Sequence, residues 1–167
     1  MKLNQQTIEQ LAEHLENAEL QAFEVVKITE AHPDMDWDDA YAIQAEILRR
    51  KLARGNRVVG LKAGLTSRGK MKQMGVDTPV FGWLVDYFSV PDGGEIKTSE
   101  LIHPKVEPEI VFVTKRALKG PGCHIGAVLA HEHQYRRVGA TELAEVSHRK
   151  RGVAAANPQH APGPVQQ

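Results

Sequence analysis

Gly55-Asn56-Arg57-Val58-Val59-Gly60-Leu61-Lys62-Ala63-Gly64-Leu65-Thr66 is where this chain changes its secondary structure. Before it, apolar residues recur at helical spacing. From Arg57 onward they form short runs broken by glycine, proline and aspartate, the pattern of strands and turns. Upstream, Ile8, Leu11, Ala12 and Leu15 follow Thr7 at three- and four-residue spacing and predict an amphipathic helix reaching about Ala18. A second helix is better marked. Asp36 can cap it, Asp38 and Asp39 complement its positive N-terminal end, and Arg49, Arg50, Lys51 and Arg54 complement the end before Gly55. Trp37, Ala40, Tyr41, Gln44, Ile47, Leu48 and Lys51 trace its expected inner face, with Trp37 and Tyr41 read as core packing.

Downstream, Ser67–Met74 reads as a short helical piece closed by Gly75. Extended segments are expected at Val80–Leu84, Tyr87–Val90 and Val106–Val113, with a turn at Pro91-Asp92-Gly93-Gly94. Helices followed by a largely antiparallel or mixed sheet make the fold class α+β. The expected organisation is a helical region over 1–55, a β-region over 56–130 and a tail over 131–167. The tail holds one leucine and no Ile, Phe, Met or Trp, too little apolar surface to offset the entropy of ordering it, so disorder is expected there. At most a short helix near Thr141–His148 is expected. His131-Glu132-His133 lacks a third ligand at a recognised spacing, and Arg149-Lys150-Arg151 reads as solvated surface.

Composition excludes several functions. Lys plus Arg and Asp plus Glu both total 21 in 167 residues, so no global field favours nucleic acid or an anionic membrane. No apolar run approaches the roughly 18 residues of a spanning helix, and Met1-Lys2-Leu3-Asn4 does not begin a signal peptide. Cys123 is the only cysteine, which excludes an internal disulfide and fits a reducing, cytoplasmic setting. It lies in the Gly/Pro turn Gly120-Pro121-Gly122-Cys123-His124 with no visible third group to orient a base, and reads as structural.

Two features carry chemistry. In Lys105-Val106-Glu107-Pro108-Glu109-Ile110-Val111-Phe112-Val113, Glu107 and Glu109 are two residues apart on an expected strand, so both carboxylates leave one face with Cα atoms about 6.5–7 Å apart. Like charges that close resist joint ionisation unless a cation lies between them, and a hard divalent metal answers that need. A solvated strand face, with Val106, Ile110 and Phe112 toward the core, is the alternative reading of the same alternation. Against it, Val111 and Val113 continue the glutamate face as apolar residues, and Pro108 removes a ladder donor. Lys62 is the second feature. Set between Gly60 and Gly64 at a strand end, it can approach a bound anion closely, although an isolated strand lysine is more often a surface charge.

Gly60–Thr66, then Met74-Gly75-Val76-Asp77-Thr78-Pro79-Val80-Phe81-Gly82, Leu84-Val85-Asp86-Tyr87-Phe88 and Ile102-His103-Pro104-Lys105-Val106-Glu107-Pro108-Glu109 together resemble the 4-oxalocrotonate decarboxylase and 2-hydroxypentadienoate hydratase family. The resemblance runs over about residues 1–130 and implies a fumarylacetoacetate hydrolase-like fold with part of its mixed sheet. It further implies Glu107 and Glu109 as ligands to Mg²⁺ or Mn²⁺, and Lys62 as the group that polarises or protonates the substrate. The implied substrate is a 2-oxo dicarboxylic acid, and the implied partners are the family's hydratase and further copies of the chain. Val80, where the hydratases tend to carry an acidic residue, and the Leu84–Phe88, Pro91–Gly94 and Leu118–Gly122 stretches favour decarboxylation of 4-oxalocrotonate, in the meta-cleavage breakdown of aromatic compounds, over hydration. The resemblance stops after Gly126-Ala127-Val128-Leu129-Ala130. Family chains continue into a strand bearing a third carboxylate, which 131–167 does not match, so the C-terminal part of the pattern is expected to be missing and an inert fragment is the competing expectation.

Overall fold

The computed structural model describes residues 1–115, 117–121 and 123–130, and the backbone of 132–138. The side chains of His131-Glu132-His133, the short helix expected near 141–148 and the Arg149-Lys150-Arg151 run lie outside the described residues. The chain forms two compact units that divide between His103 and Pro104.

In the first unit, α1 spans Gln5–Gln21, three residues more than expected at its C-terminal end. Asn4 sets its start, because the side-chain Oδ1 accepts the Thr7 N–H at 2.9 Å and satisfies one of the donors a helix leaves open. It ends at Ala22, in a left-handed conformation with φ 54°. A single turn, α2 at Ile28–Ala31, precedes α3 at Trp37–Ala53. Asp36 caps α3 as expected, and the cap is reciprocal: Asp36 Oδ1 accepts the Asp39 N–H while Asp39 Oδ2 accepts the Asp36 N–H. Asp39 also accepts the N–H groups of Lys2 and Leu3, tying the chain start to α3.

The core lies between α1 and α3. Ile8, Ala12, Ile28, Met35, Ala40 and Ile43 are buried together, with Leu11, Leu15 and Ile47 packed against them. Sealing a side chain the size of Ile8 or Ile43 contributes about 1.5–3 kcal/mol. The buried face of α3 shares Ala40 and Lys51 with the expected one and otherwise differs from it. Asp39, Ala40, Ile43, Glu46 and Lys51 are the buried positions, whereas Trp37 and Tyr41 are 37% and 39% exposed. The reason is charge pairing that periodicity cannot see. Glu16 of α1, 1% exposed, bonds Arg50 at 2.6 Å and Arg54 at 2.7 Å, and Lys51 bonds Glu19 and Tyr87. Burial disfavours the Glu16 charge, but the hydrogen bonds from Arg54 and Arg50 outweigh it and hold the pKa below 4.5.

After α3, β1 at Val58–Gly64 and β2 at Val80–Val85 pair antiparallel, with α4 at Arg68–Met74 between them. Tyr87 falls in a 3₁₀ turn, Asp86–Phe88, rather than the expected extended segment, because Asp86 takes the Tyr87 N–H on its side chain and the Ser89 N–H on its carbonyl.

The second unit carries β3 at Glu109–Thr114, α5 at Ile125–Ala130 and β4 at Glu132–Val138, with β3 and β4 antiparallel. The expected strand began at Val106. It begins at Glu109 because Pro108 has no N–H to give a ladder. Glu107 therefore precedes the strand.

Candidate functional site

Lys62 sits at the middle of β1, opposite Gly82 of β2. Direct partners in an antiparallel pair share a face, as do residues two apart on one strand. Gly60, Lys62, Gly64, Val80, Gly82 and Leu84 thus form one face, and all are half-buried. Val59, Leu61, Ala63, Phe81 and Trp83 form the other, exposed face. Lys62 is flanked by glycine at both same-face positions on its own strand and directly across. None of the three has a positive φ, so conformational freedom is not what they supply. They supply room: a Cβ built on Gly82 meets nothing within 4 Å.

The strand pair is held at both ends. Where β1 begins and β2 stops, Asp86 Oδ1 accepts the Arg57 N–H at 3.2 Å and the Asn56 amide at 3.4 Å, while the Asp86 N–H donates to the Arg57 carbonyl at 3.0 Å. The Arg57 backbone N–H foremost holds the Asp86 pKa below its ordinary value. Toward the other end, α3 reaches the outer edge of β2. Gln44 Nε2 donates to the Phe81 carbonyl at 3.0 Å, and the Phe81 N–H donates to the Tyr41 hydroxyl at 3.3 Å. Gln44, Ile47, Leu48 and Lys51 of α3 also line a small cleft with Trp83 and Val85.

Glu107 and Glu109 belong to the second unit, Lys62 to the first. The alternation there is the reverse of the solvated-face reading. Glu107, Glu109 and Val111 are half-buried, whereas Val106, Ile110 and Phe112 are 55%, 58% and 43% exposed. The Oε2 atom of Glu107 is shielded from solvent. Withdrawn carboxylates are the donors a hard cation takes, and Mg²⁺ is held by one or two such groups plus oxygens from water and substrate, so the residues present fit a divalent metal. Among the described residues no cluster of three His, Cys, Asp or Glu forms. Cys123 is exposed, and neighbouring His124 accepts the Ala127 N–H at the start of α5.

Sequence reasoning read Tyr41 and Gln44 as positions on a packing face, and placed Gly82 and Asp86 in the motifs of the resemblance without giving either a role. Two hydrogen-bonding side chains at three-residue spacing on that face were the available signal for an edge contact; which strand they meet is not written locally.

No protein-family model matches the chain. It is 68% identical over 120 residues to a 4-oxalocrotonate decarboxylase of Pseudomonas sp. (strain CF600), covering 72% of this chain and 46% of the relative. To a second 4-oxalocrotonate decarboxylase, from Pseudomonas putida, it is 62% identical over 128 residues, 77% of this chain and 48% of the relative. A 2-hydroxypent-2,4-dienoate hydratase of Pseudomonas putida is 40% identical over 124 residues, 74% of this chain and 56% of the relative. Among solved structures, 4-oxalocrotonate decarboxylase from Pseudomonas putida G7 superposes with a TM-score of 0.74 at 57% identity over 78% of this chain, covering about half of that chain; it was solved with calcium and acetate and with magnesium and adipate. The chain spans about half the length of the curated relatives it matches. Over the matched residues, then, sequence and fold agree, and this part of the chain belongs to the 4-oxalocrotonate decarboxylase and 2-hydroxypentadienoate hydratase family, with its fumarylacetoacetate hydrolase-like fold.

Proposed function

We propose that this chain carries the lysine and two metal ligands of a carboxy-lyase that converts 4-oxalocrotonate to 2-hydroxypenta-2,4-dienoate and CO₂ in meta-cleavage breakdown of aromatic compounds. The observation that carries the reading is the identity of 62% and 68% with two 4-oxalocrotonate decarboxylases against 36% to 44% with five hydratases; a third 4-oxalocrotonate decarboxylase is 42% identical. Glu107 and Glu109 hold the metal, Mg²⁺ with Mn²⁺ as a substitute. The metal, when bound, supplies positive charge beside the 2-oxo acid. As the bond to the distal carboxylate breaks, its electron pair becomes a new terminal double bond. The existing double bond moves one position toward the carbonyl carbon, and the charge collects on the carbonyl oxygen. Lys62, as an ammonium group, donates a hydrogen bond to that oxygen and then its proton, giving the 2-hydroxy product. The glycines around Lys62 leave space for a flat conjugated acid.

The organisation that goes with this reading is a helical region over 1–55, a catalytic β-region over 56–130 and a separate tail from 131. Partners are the family's hydratase and further copies of the chain. A lone cysteine supports a reducing compartment, the cytoplasm. The test is Lys62→Met, assayed by Mg²⁺-dependent loss of 4-oxalocrotonate absorbance and by calorimetric Mg²⁺ titration. Turnover is expected to fall at least a hundredfold with metal affinity unchanged. Undiminished turnover, or water addition to the dienoate in place of CO₂ release, overturns the reading.

A further inference from the structure

We infer that Tyr41 and Gln44 are positioning residues for Lys62, acting as the register lock of the β1–β2 pair; the catalytic consequence rests on the function proposed above. The pair is poorly specified on its own. It has only two strands among the described residues, and a two-stranded ribbon is marginal in water. Gly60, Gly64 and Gly82 remove side chains that would otherwise fix the alignment, and glycine-rich strands are the ones that slip. The register is already irregular between Val58 and Gly60. A slip of one residue would send every side chain to the opposite face and carry Lys62 from the half-buried glycine face to the exposed face of Leu61 and Trp83.

Both polar groups of one β2 residue are taken by α3. Gln44 donates to the Phe81 carbonyl and Tyr41 accepts from the Phe81 N–H, so the helix serves as a surrogate third strand at that edge. Phe81 pairs with Ala63 and its neighbour Gly82 pairs with Lys62. The clamp is therefore one residue from the pair that presents the lysine. It is anchored in turn by the core of α1 and α3, where Ala40 and Ile43 flank the clamp residues. Asp86 closes the opposite end, beyond the irregularity, and leaves the stretch around Lys62 dependent on Tyr41 and Gln44.

The experiment uses the full chain with Tyr41→Phe, which keeps the ring and removes the acceptor, and Gln44→Glu, which keeps the length and sets an oxygen against the Phe81 carbonyl. The readouts are the exchange rate of the Phe81 amide, the NMR backbone contact between Ala63 and Phe81, and the rate of acetylation of Lys62 by acetic anhydride, with Lys97 as control. Phe81 exchange is expected to rise about tenfold in Tyr41→Phe, the loss of one hydrogen bond. Lys62 acetylation should rise at least threefold in both variants while Lys97 does not change, and Gln44→Arg, which restores an N–H donor, should return it to the starting rate. Should Gln44→Glu fail to fold, Gln44→Met carries the same readout. A Lys62 rate within 1.5-fold of the unaltered chain in Tyr41→Phe and in either Gln44 variant overturns the inference. Unchanged turnover in Lys62→Met would sink the decarboxylase reading instead, and leaves the acetylation result standing.

Discussion

The two units hold the residues proposed for the site in different ways. Among the described residues, every fully buried apolar side chain belongs to the first unit. There Lys62 stands on a strand pair braced by α3, and α3 is held to α1 by Ile8, Ala12 and Ile43 and by the Glu16 bonds to Arg50 and Arg54. Glu107 and Glu109 stand at the mouth of the β3–β4 pair, where Ile110, Phe112, Ile125 and Leu129 are all exposed. The lysine's position is a product of packing. Glu109 stands on the first pair of the β3–β4 ladder and Glu107 just before it.

The largest expected contrast uses one residue type in both units. Ile43→Ala should cost the first unit about 2–5 kcal/mol, as a buried truncation does. Ile110→Ala should stay within about 0.5 kcal/mol. Unit-resolved amide exchange measures both, and equal costs would erase the distinction. Next in size is metal: at a hundred times its dissociation constant, Mg²⁺ should protect β3 amides by about 2.7 kcal/mol and leave α1 and α3 unchanged. Protection spread equally over both units would break the assignment to Glu107 and Glu109.

Acid should separate the units again. Burial opposes the charges of Glu16 and Asp39, but the Arg54 and Arg50 bonds to Glu16, and the Leu3, Asp36 and Lys2 backbone bonds to Asp39, lower their pKa values below 4.5 and 3.8. Their contribution to folding is complete above those values and is lost as pH falls through the lower, folded ones. Helix protection should drop below about pH 4, and Glu16→Gln should flatten that drop. A pH profile identical in Glu16→Gln would remove Glu16 from the account. The smallest effect is Asn4→Ala, expected to cost about 1 kcal/mol and to fray the first turn of α1 in amide exchange; an unchanged exchange rate there would show that Asn4 is not the cap.

Much of this was legible in the sequence, because caps and glycine stops act locally. Asp36 and Gly75 each end or begin an element where their chemistry requires it. The inner face of α3 was legible only in part: Ala40 and Lys51 were placed on it, but Asp39, held by the N–H groups of Lys2 and Leu3, and Glu46, held by Arg49, were not, because apolar periodicity assigns acidic residues to water. Lys62 and the glutamate pair stood out by residue type and spacing. Their setting did not: that Gly82 faces Lys62 follows from register, and that Ile110 and Phe112 face solvent follows from what lies on either side of β3. Pro108, read as a lost ladder donor, could have moved the strand start to Glu109 from sequence alone.

The most direct test of the central claim is the Mg²⁺-dependent loss of 4-oxalocrotonate absorbance by the purified chain, beside the same chain carrying Glu107→Gln and Glu109→Gln together. Both carboxylates as metal ligands predict turnover that requires Mg²⁺ in the unaltered chain and is lost in the double variant. Equal rates in the two, with or without Mg²⁺, would contradict it.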